Sequence, residues 1–198
     1  MEFQDVVRRR RMIREFGPDP VPAESLERIL GNATRGPSAG FSQGQAFLVL
    51  EGDALEPFWT VGSDAVQDSV RGAPLVIVPL SCKRVYLDRY AEPDKGWTDR
   101  DESRWPVPFW HIDTGMAALL ILQTVVDEGL GALYFGIVPG QVAPFRALYG
   151  VPDDQEPIGA IAIGYPADDD PATVERLKRR RKAPADIVHY GRWGVRTR

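Results

Sequence analysis

Apolar side chains recur at helical spacing in some stretches of the chain and as short continuous runs in others, and the two kinds of segment interleave. Phe3, Val6, Val7 and Arg10 stand at i, i+3, i+4 and i+7, which puts an arginine on the apolar face of a short helix. Beyond Arg11 the pattern alternates: Met12, Arg14 and Phe16 fall on one side and Arg11, Ile13 and Glu15 on the other. Arg14 therefore also lies in an apolar row. "VPAESLERILGNATRG" predicts a helix entered through Pro22, with Leu26, Ile29, Leu30 and Ala33 on one face and Gly36 beyond its end. "AFLVLEGD" (46–53) predicts a strand and a turn, residues 54–70 short helices with Val66 and Val70 inward, and "APLVIVPLS" a strand covered on both faces. "DTGMAALLILQTVVDE" (113–128) is apolar nearly all round and predicts a central helix, capped by Asp113 or Thr114. After it come a short strand in "ALYFG", a helix in "PGQVAPFRALYG" and a buried strand in "PIGAIAIGYP". Helices and strands around one sheet of about four or five strands make the class α+β or α/β.

Residues 83–112, "KRVYLDRYAEPDKGWTDRDESRWPVPFWHI", show no clean period and mix charge with Tyr86, Tyr90, Trp97, Trp105, Phe109 and Trp110. An aperiodic stretch of this length is a candidate for function. Its aromatic content suits a substrate lid, a subunit interface or a packing flap over the core.

Composition, 43% hydrophobic and 26% charged over 198 residues, fits one globular domain spanning residues 1–198. The longest apolar run, Met116 to Val126, is short for a bilayer, and no secretory signal pattern opens the chain, so no membrane partner is expected and the cytoplasm is the expected compartment. One cysteine, Cys82, makes no internal disulfide, and with His111 and His189 as the two histidines no metal site is expected.

Charge is unevenly placed. Eleven of the 24 Lys and Arg residues lie in "RRRRMIR" (8–14) and "RLKRRRK" (176–182), neither of which holds an acid, and the remainder carries 13 cations against 28 acids. Guanidinium groups on inward-looking positions such as 10 and 14 point to a bound anion or a buried carboxylate, or else to stems lying along the core with heads in water. Two basic clusters on an acidic body suit a phosphate monoester or a nucleic acid, and equally a solvated tail at the C-terminal cluster. The acidic remainder and the lack of a groove-reading motif argue against nucleic acid.

The familiar catalytic signatures are missing. Gly129, Gly131 and Gly136 resemble a dinucleotide fingerprint in spacing only, because they end a helix and enter a strand, the reverse of the order such a site needs. There is no Walker loop, nucleophile elbow or zinc-protease helix. In "RGPSAGFSQGQAFLVL" (35–50), Ser38, Ala39 and Gly40 allow close backbone approach to a flat ligand, and Ser38, Ser42 and Gln43 offer hydrogen bonds.

Along almost its whole length the chain resembles the nitroreductase family of flavin mononucleotide enzymes. The resemblance is carried by "RRRRMIREFGPDPVPAESLERIL", "GPSAGFSQGQAFLVL", "DTGMAALLILQTVVDEGLGALYFG", "PIGAIAIGYP" and "RRRKAPADIVHYGRW", in that order. It implies an α+β, three-layer fold, with a central mixed, mostly antiparallel sheet flanked by helices, in an intertwined homodimer whose flavin sites lie between subunits. By the family pattern, Arg10, Arg11 and Arg14 resemble residues that reach the flavin's phosphate, ribityl chain and pyrimidine edge, and Arg179 and Arg181 resemble a C-terminal phosphate pair. Ser38, Ala39, Gly40, Ser42 and Gln43 match the loop along the flavin, and Tyr134, Phe135 and Gly136 the strand end covering one ring face. Met12 is carried over as a flavin neighbour too, but it stands where the family usually has a hydroxyl. Phe41 likewise replaces Asn, and Gly44-Gln45 replaces Pro-Trp.

The activity so implied is hydride transfer from NADH or NADPH through FMN to a small planar electron-poor acceptor, a nitroaromatic or quinone, in ping-pong order. No side chain is expected to act as a nucleophile; Arg14 and the Gly136 backbone are expected to tune the flavin. The lost polar contacts leave open a specialised or non-catalytic flavin or deazaflavin binder, and Phe41 leaves open a relative of the flavin-fragmenting dimethylbenzimidazole synthases.

Overall fold

The computed structural model describes residues 1–61, 66–167 and 171–196. They form two compact units, Met1–Ala167 and Asp168–Arg198. In the first unit, five strands make one sheet: β1 (Gln45–Glu51), β2 (Leu75–Ser81), β3 (Gly131–Phe135), β4 (Glu156–Pro157) and β5 (Ala160–Gly164). The order is β1-β2-β5-β3, with β4 beside β2, and every pairing between these strands is antiparallel. The class is therefore α+β, and the parallel element is a single bridge from Met12 to Ala132 on β3.

Successive side chains of a strand leave opposite faces, and both faces of this sheet are apolar. On β2, Val76, Val78 and Leu80 join Phe58, Phe135, Phe145 and Ala162 in one core, whereas Leu75 and Ile77 join Ile29, Ile121, Val125 and Ile161 in the other. Helices α1 (Phe3–Arg9), α2 (Ala23–Ala33), α3 (Leu55–Val61), α4 (Lys83–Tyr90), α5 (Phe109–Asp127) and α6 (Pro139–Tyr149) surround the sheet. Phe58 of α3 and Phe145 of α6 supply the first core, and Ile29 of α2 with Ile121 and Val125 of α5 supply the second. The result is three layers. Tyr149 ends α6 before Gly150, whose left-handed backbone (φ 63°) closes the helix.

Three expectations are corrected by the structure. Helix α5 starts at Phe109 behind Pro108, so neither Asp113 nor Thr114 caps it; both are buried in its second turn, because Trp110 is buried and brings an extra turn of helix onto the fold. At 19 residues α5 is long and apolar enough to cross a membrane by length and composition, yet half of its apolar window is buried against the rest of the fold. Thirdly, the alternation read over residues 11–16 fails. Ile13 and Phe16 are buried while Arg14 is exposed, since the Ile13 N–H donates to the Ala132 carbonyl and Phe16 bridges Pro166. Of the face read on α1, Val6 is buried and Phe3 and Val7 are exposed. Residues 62–65, within the stretch read as short helices, lie outside the described residues.

The second unit carries α7 (Pro171–Arg180) and α8 (Pro184–Ile187), followed by a turn in which the His189 and Trp193 rings stack 4.0 Å apart.

Polar bonds stitch α2 to α5. Arg28 donates to both oxygens of Glu128 at 2.7 and 2.6 Å, Ser25 donates to the same carboxylate at 2.7 Å, and Asn32 donates to Thr124 at 3.1 Å. The Arg28 guanidinium, opposed by burial and aided by Ser25, holds the Glu128 carboxyl below its ordinary value of 4.5. Stabilisation from such a lowered group is complete above the ordinary value and is lost as pH falls through the lowered one. Glu128→Gln is expected to lower Tm by about 2–4 °C at pH 7. In thermal melts across pH, that difference should vanish under acid conditions; one that persisted unchanged there would assign the effect to packing.

Candidate functional site

Where β3 ends, the first unit holds a cavity of about 280 Å³ lined by Arg14, Val66, Gln67, Val70, Leu133, Tyr134 and Phe135. Its walls mix apolar and polar surface, and its polar side chains include the Arg14 guanidinium and the Gln67 primary amide. Arg14 reaches it because the Met12–Ala132 bridge fixes the preceding residues beside β3. The only hydrogen bond recorded for the Arg14 guanidinium among the described residues is a long one, 3.4 Å, to the Met12 carbonyl. Arg28, Lys83, Arg84, Arg89, Arg100 and Arg104 all meet carboxylates, whereas Arg10 and Arg14 meet none among the described residues. Arg10 closes α1, half-buried, through its backbone N–H to Val6.

A second group of expected residues forms one loop. Ser38 Oγ accepts from the Gln43 N–H at 3.0 Å, and Ser42 Oγ donates to the Ala39 carbonyl at 2.6 Å, so both hydroxyls assigned to a ligand also bond within the loop. Gly40 (φ 62°), Phe41 (φ 56°) and Gln43 (φ 54°) are all left-handed, a conformation that side chains other than glycine adopt at a cost. Phe41 is 74% exposed at the loop's tip. The Gly44-Gln45 departure has a structural reason. A Cβ at Gly44 would lie 2.6 Å from the Tyr86 ring and 2.9 Å from the Cys82 carbonyl, so the space of a larger residue is already filled. Gln45 leaves its buried Oε1 without a hydrogen-bond partner among the described residues.

The remaining expected residues are placed as follows. Met12 turns its sulfur onto the Tyr134 N–H, 3.4 Å away, instead of presenting it as a ligand group. The Tyr134 hydroxyl donates to the Ile158 carbonyl, and burial raises its pKa. Phe135 stacks on Trp59 in the core, leaving its backbone at the cavity, and Gly136 follows, exposed. Arg11 is half-buried. Arg179 and Arg181 are exposed, near the end of α7 and just beyond it in the second unit. The structure thus joins Arg14 with Tyr134 and Phe135 at one cavity and gathers Ser38 to Gln43 into one loop.

Sequence reasoning missed Gln67, Val66, Val70 and Leu133, which reach the cavity from elements far from Arg14 in the chain. The aromatic segment packs on itself. Tyr86, Tyr90, Trp97, Trp105, Phe109 and Trp110 pack into one cluster, with the closest rings, Tyr90 and Trp105, 4.5 Å apart.

A model of the nitroreductase family matches residues 7–71 and 61–165. The chain belongs to the nitroreductase family. It is 28% identical over 196 residues to a Methanothermobacter thermautotrophicus protein named "Putative NADH dehydrogenase/NAD(P)H nitroreductase", covering 98% of this chain and 88% of that one. Among solved structures, a nitroreductase family protein from Clostridium difficile 630 superposes with a TM-score of 0.72 at 24% identity, covering 97% and 99% of the two chains. A structure from Exiguobacterium sibiricum 255-15 in complex with FMN superposes with a TM-score of 0.74 at 18% identity, covering 96% and 97%. The nitroreductase fold is therefore shared.

Gly44→Ala is expected to cost about 1–3 kcal/mol, the usual range for overpacking. Urea unfolding would report it, and an unchanged midpoint would show that the Tyr86 ring yields without cost.

Proposed function

We propose that this nitroreductase family member is an FMN-dependent oxidoreductase that takes hydride from NADH or NADPH and passes it to a small planar electron-poor acceptor, a nitroaromatic or a quinone. The observation that carries the reading is Arg14, a guanidinium without an acidic partner among the described residues, on the rim of a cavity of mixed polar and apolar lining at the end of β3. The donor set fits the group. Val66, Val70 and Leu133 offer apolar surface to a flat ring, and Arg14 and Gln67 offer hydrogen bonds to its polar edge. Arg10 and Arg11 would hold the phosphate, because guanidinium–phosphate contacts are charge-assisted. Bound FMN supplies the hydride-accepting and hydride-donating chemistry.

The protein's part is to bind, orient and tune. Arg14 places positive charge where the ligand gains negative charge on reduction. The loop from Ser38 to Gln43 would lie along the flavin, and the Gly136 backbone would address its hydride-accepting nitrogen. Support for a homodimer with shared sites comes from Ile112, Met116 and Leu119, which are exposed on α5 although the helix is otherwise apolar and packed.

A competing reading, flavin or deazaflavin binding without turnover, is favoured by Met12, whose sulfur is turned onto Tyr134. Absorption spectra before and after anaerobic NADPH or NADH separate the two. The oxidoreductase gives a yellow protein that bleaches and reoxidises with menadione; yellow protein that neither cofactor bleaches supports the binder, protein that takes up no FMN overturns the oxidoreductase, and protein that takes up neither FMN nor a deazaflavin overturns both. Initial rates with varied donor and acceptor should give parallel double-reciprocal lines. Arg14→Gln should weaken FMN binding about tenfold or more in fluorescence titrations, the scale of one lost charge-assisted bond.

A further inference from the structure

Beneath the loop sits a carboxylate that the proposed chemistry does not use. Asp113 is 4% exposed, and its Oδ2 accepts both the Ala39 N–H at 2.8 Å and the Tyr86 hydroxyl at 2.9 Å. No ion pair reaches it among the described residues. A buried carboxylate without a cation is costly unless its hydrogen bonds are kept, so these two bonds are tightly coupled to the fold around them.

Helix α4 completes the arrangement. Tyr86, Arg89 and Tyr90 are spaced i, i+3 and i+4, hence share a face, and all three meet the same loop. The Tyr86 ring fills the space beside Gly44, Arg89 Nε donates to the Gly40 carbonyl at 2.9 Å, and the Tyr90 ring lies where a Cβ on Gly40 would stand, 2.7 Å away. Arg89 is itself held by Asp94 through two bonds of 2.8 Å. The contacts of Tyr86, Arg89 and Tyr90 with Gly40 and Gly44 fall on the segment that contains the left-handed residues at 40, 41 and 43.

We infer that Asp113 is a positioning residue. Its carboxylate, with the Tyr86–Arg89–Tyr90 face of α4, clamps the loop from Ser38 to Gly44 in its left-handed form, and by doing so sets how tightly the loop receives the flavin. The inference rests on the FMN reading for its ligand but not for the clamp. Backbone conformations of this kind persist only where surroundings over-determine them, and Asp113 is the group that joins the loop to both α5 and α4.

The test uses full-length wild type, Asp113→Asn, Asp113→Ala and Tyr86→Phe, read by amide hydrogen exchange at residues 38–44 and by FMN fluorescence titration. Asp113→Ala should speed exchange at Ala39 and weaken FMN binding, each about tenfold or more. Asp113→Asn keeps a carbonyl acceptor for the Ala39 N–H and should restore both to within about threefold of wild type; it also stands in if the alanine variant does not fold. Tyr86→Phe leaves the Ala39 bond in place and should stay within the same threefold. Equal exchange at Ala39 in wild type and Asp113→Ala would overturn the clamp, as would FMN affinity that tracks neither variant while exchange changes. If wild-type protein takes up no FMN the functional reading falls, and fast exchange in Asp113→Ala alone would still support the clamp.

Discussion

A narrow sheet that must be dry on both faces constrains everything else in the first unit. β2 is buried at every position from Leu75 to Ser81, and β5 at every position from Ala160 to Gly164. Because side chains alternate, each of these strands feeds two cores, and each core needs its own helical cover. α2 and α5 cover one face, α3 and α6 the other. With both faces closed, chemistry is left to the sheet's margins. The cavity accordingly opens where β3 ends, and the braced loop lies immediately ahead of β1, running into it at Gln45.

That constraint also explains what could be read from the chain. β2 and β5 are continuous apolar runs, and strands buried on both faces look like that. α2 announces itself through Ile29 and Ala33 on one side and Glu24, Glu27 and Arg28 on the other. The start of α5 was hidden because Trp105, Pro106, Pro108 and Trp110 break any period, and an aspartate before an apolar run imitates a cap. Asp113 is instead a tertiary acceptor, and only the position of α4 reveals it. The cavity was half legible: family resemblance led to Arg14 and Tyr134. Gln67 carries no local signal, since its relation to Arg14 exists only after the sheet has closed.

The departures from the family pattern are not independent of the fold. Gly44 stands against the Tyr86 ring, so a proline there would need a smaller partner on α4. Met12 satisfies the Tyr134 N–H, an edge donor of β3 that a shorter hydroxyl-bearing residue would have to satisfy from a different position. Both residues serve internal packing, Gly44 by leaving room for the Tyr86 ring and Met12 by meeting the Tyr134 N–H.

The first of the two arginine clusters can now be weighed on physical grounds. Snorkelling explains a long stem lying along apolar surface with its head in water, and on that account the acid-rich body should supply carboxylates to cations wherever they meet. Arg84, Arg89 and Arg104 follow that rule with Asp154, Asp94 and Asp99. In the cluster itself Arg8 does so with Asp5, whereas Arg10 and Arg14 meet no carboxylate among the described residues, in a chain with 28 acids against 24 Lys and Arg. Leaving Arg14 without an acid among the described residues preserves positive potential at the cavity, and that potential favours an anionic ligand over an internal salt bridge. The arrangement gains nothing for folding, since a surface pair contributes little either way; its consequence is for what binds.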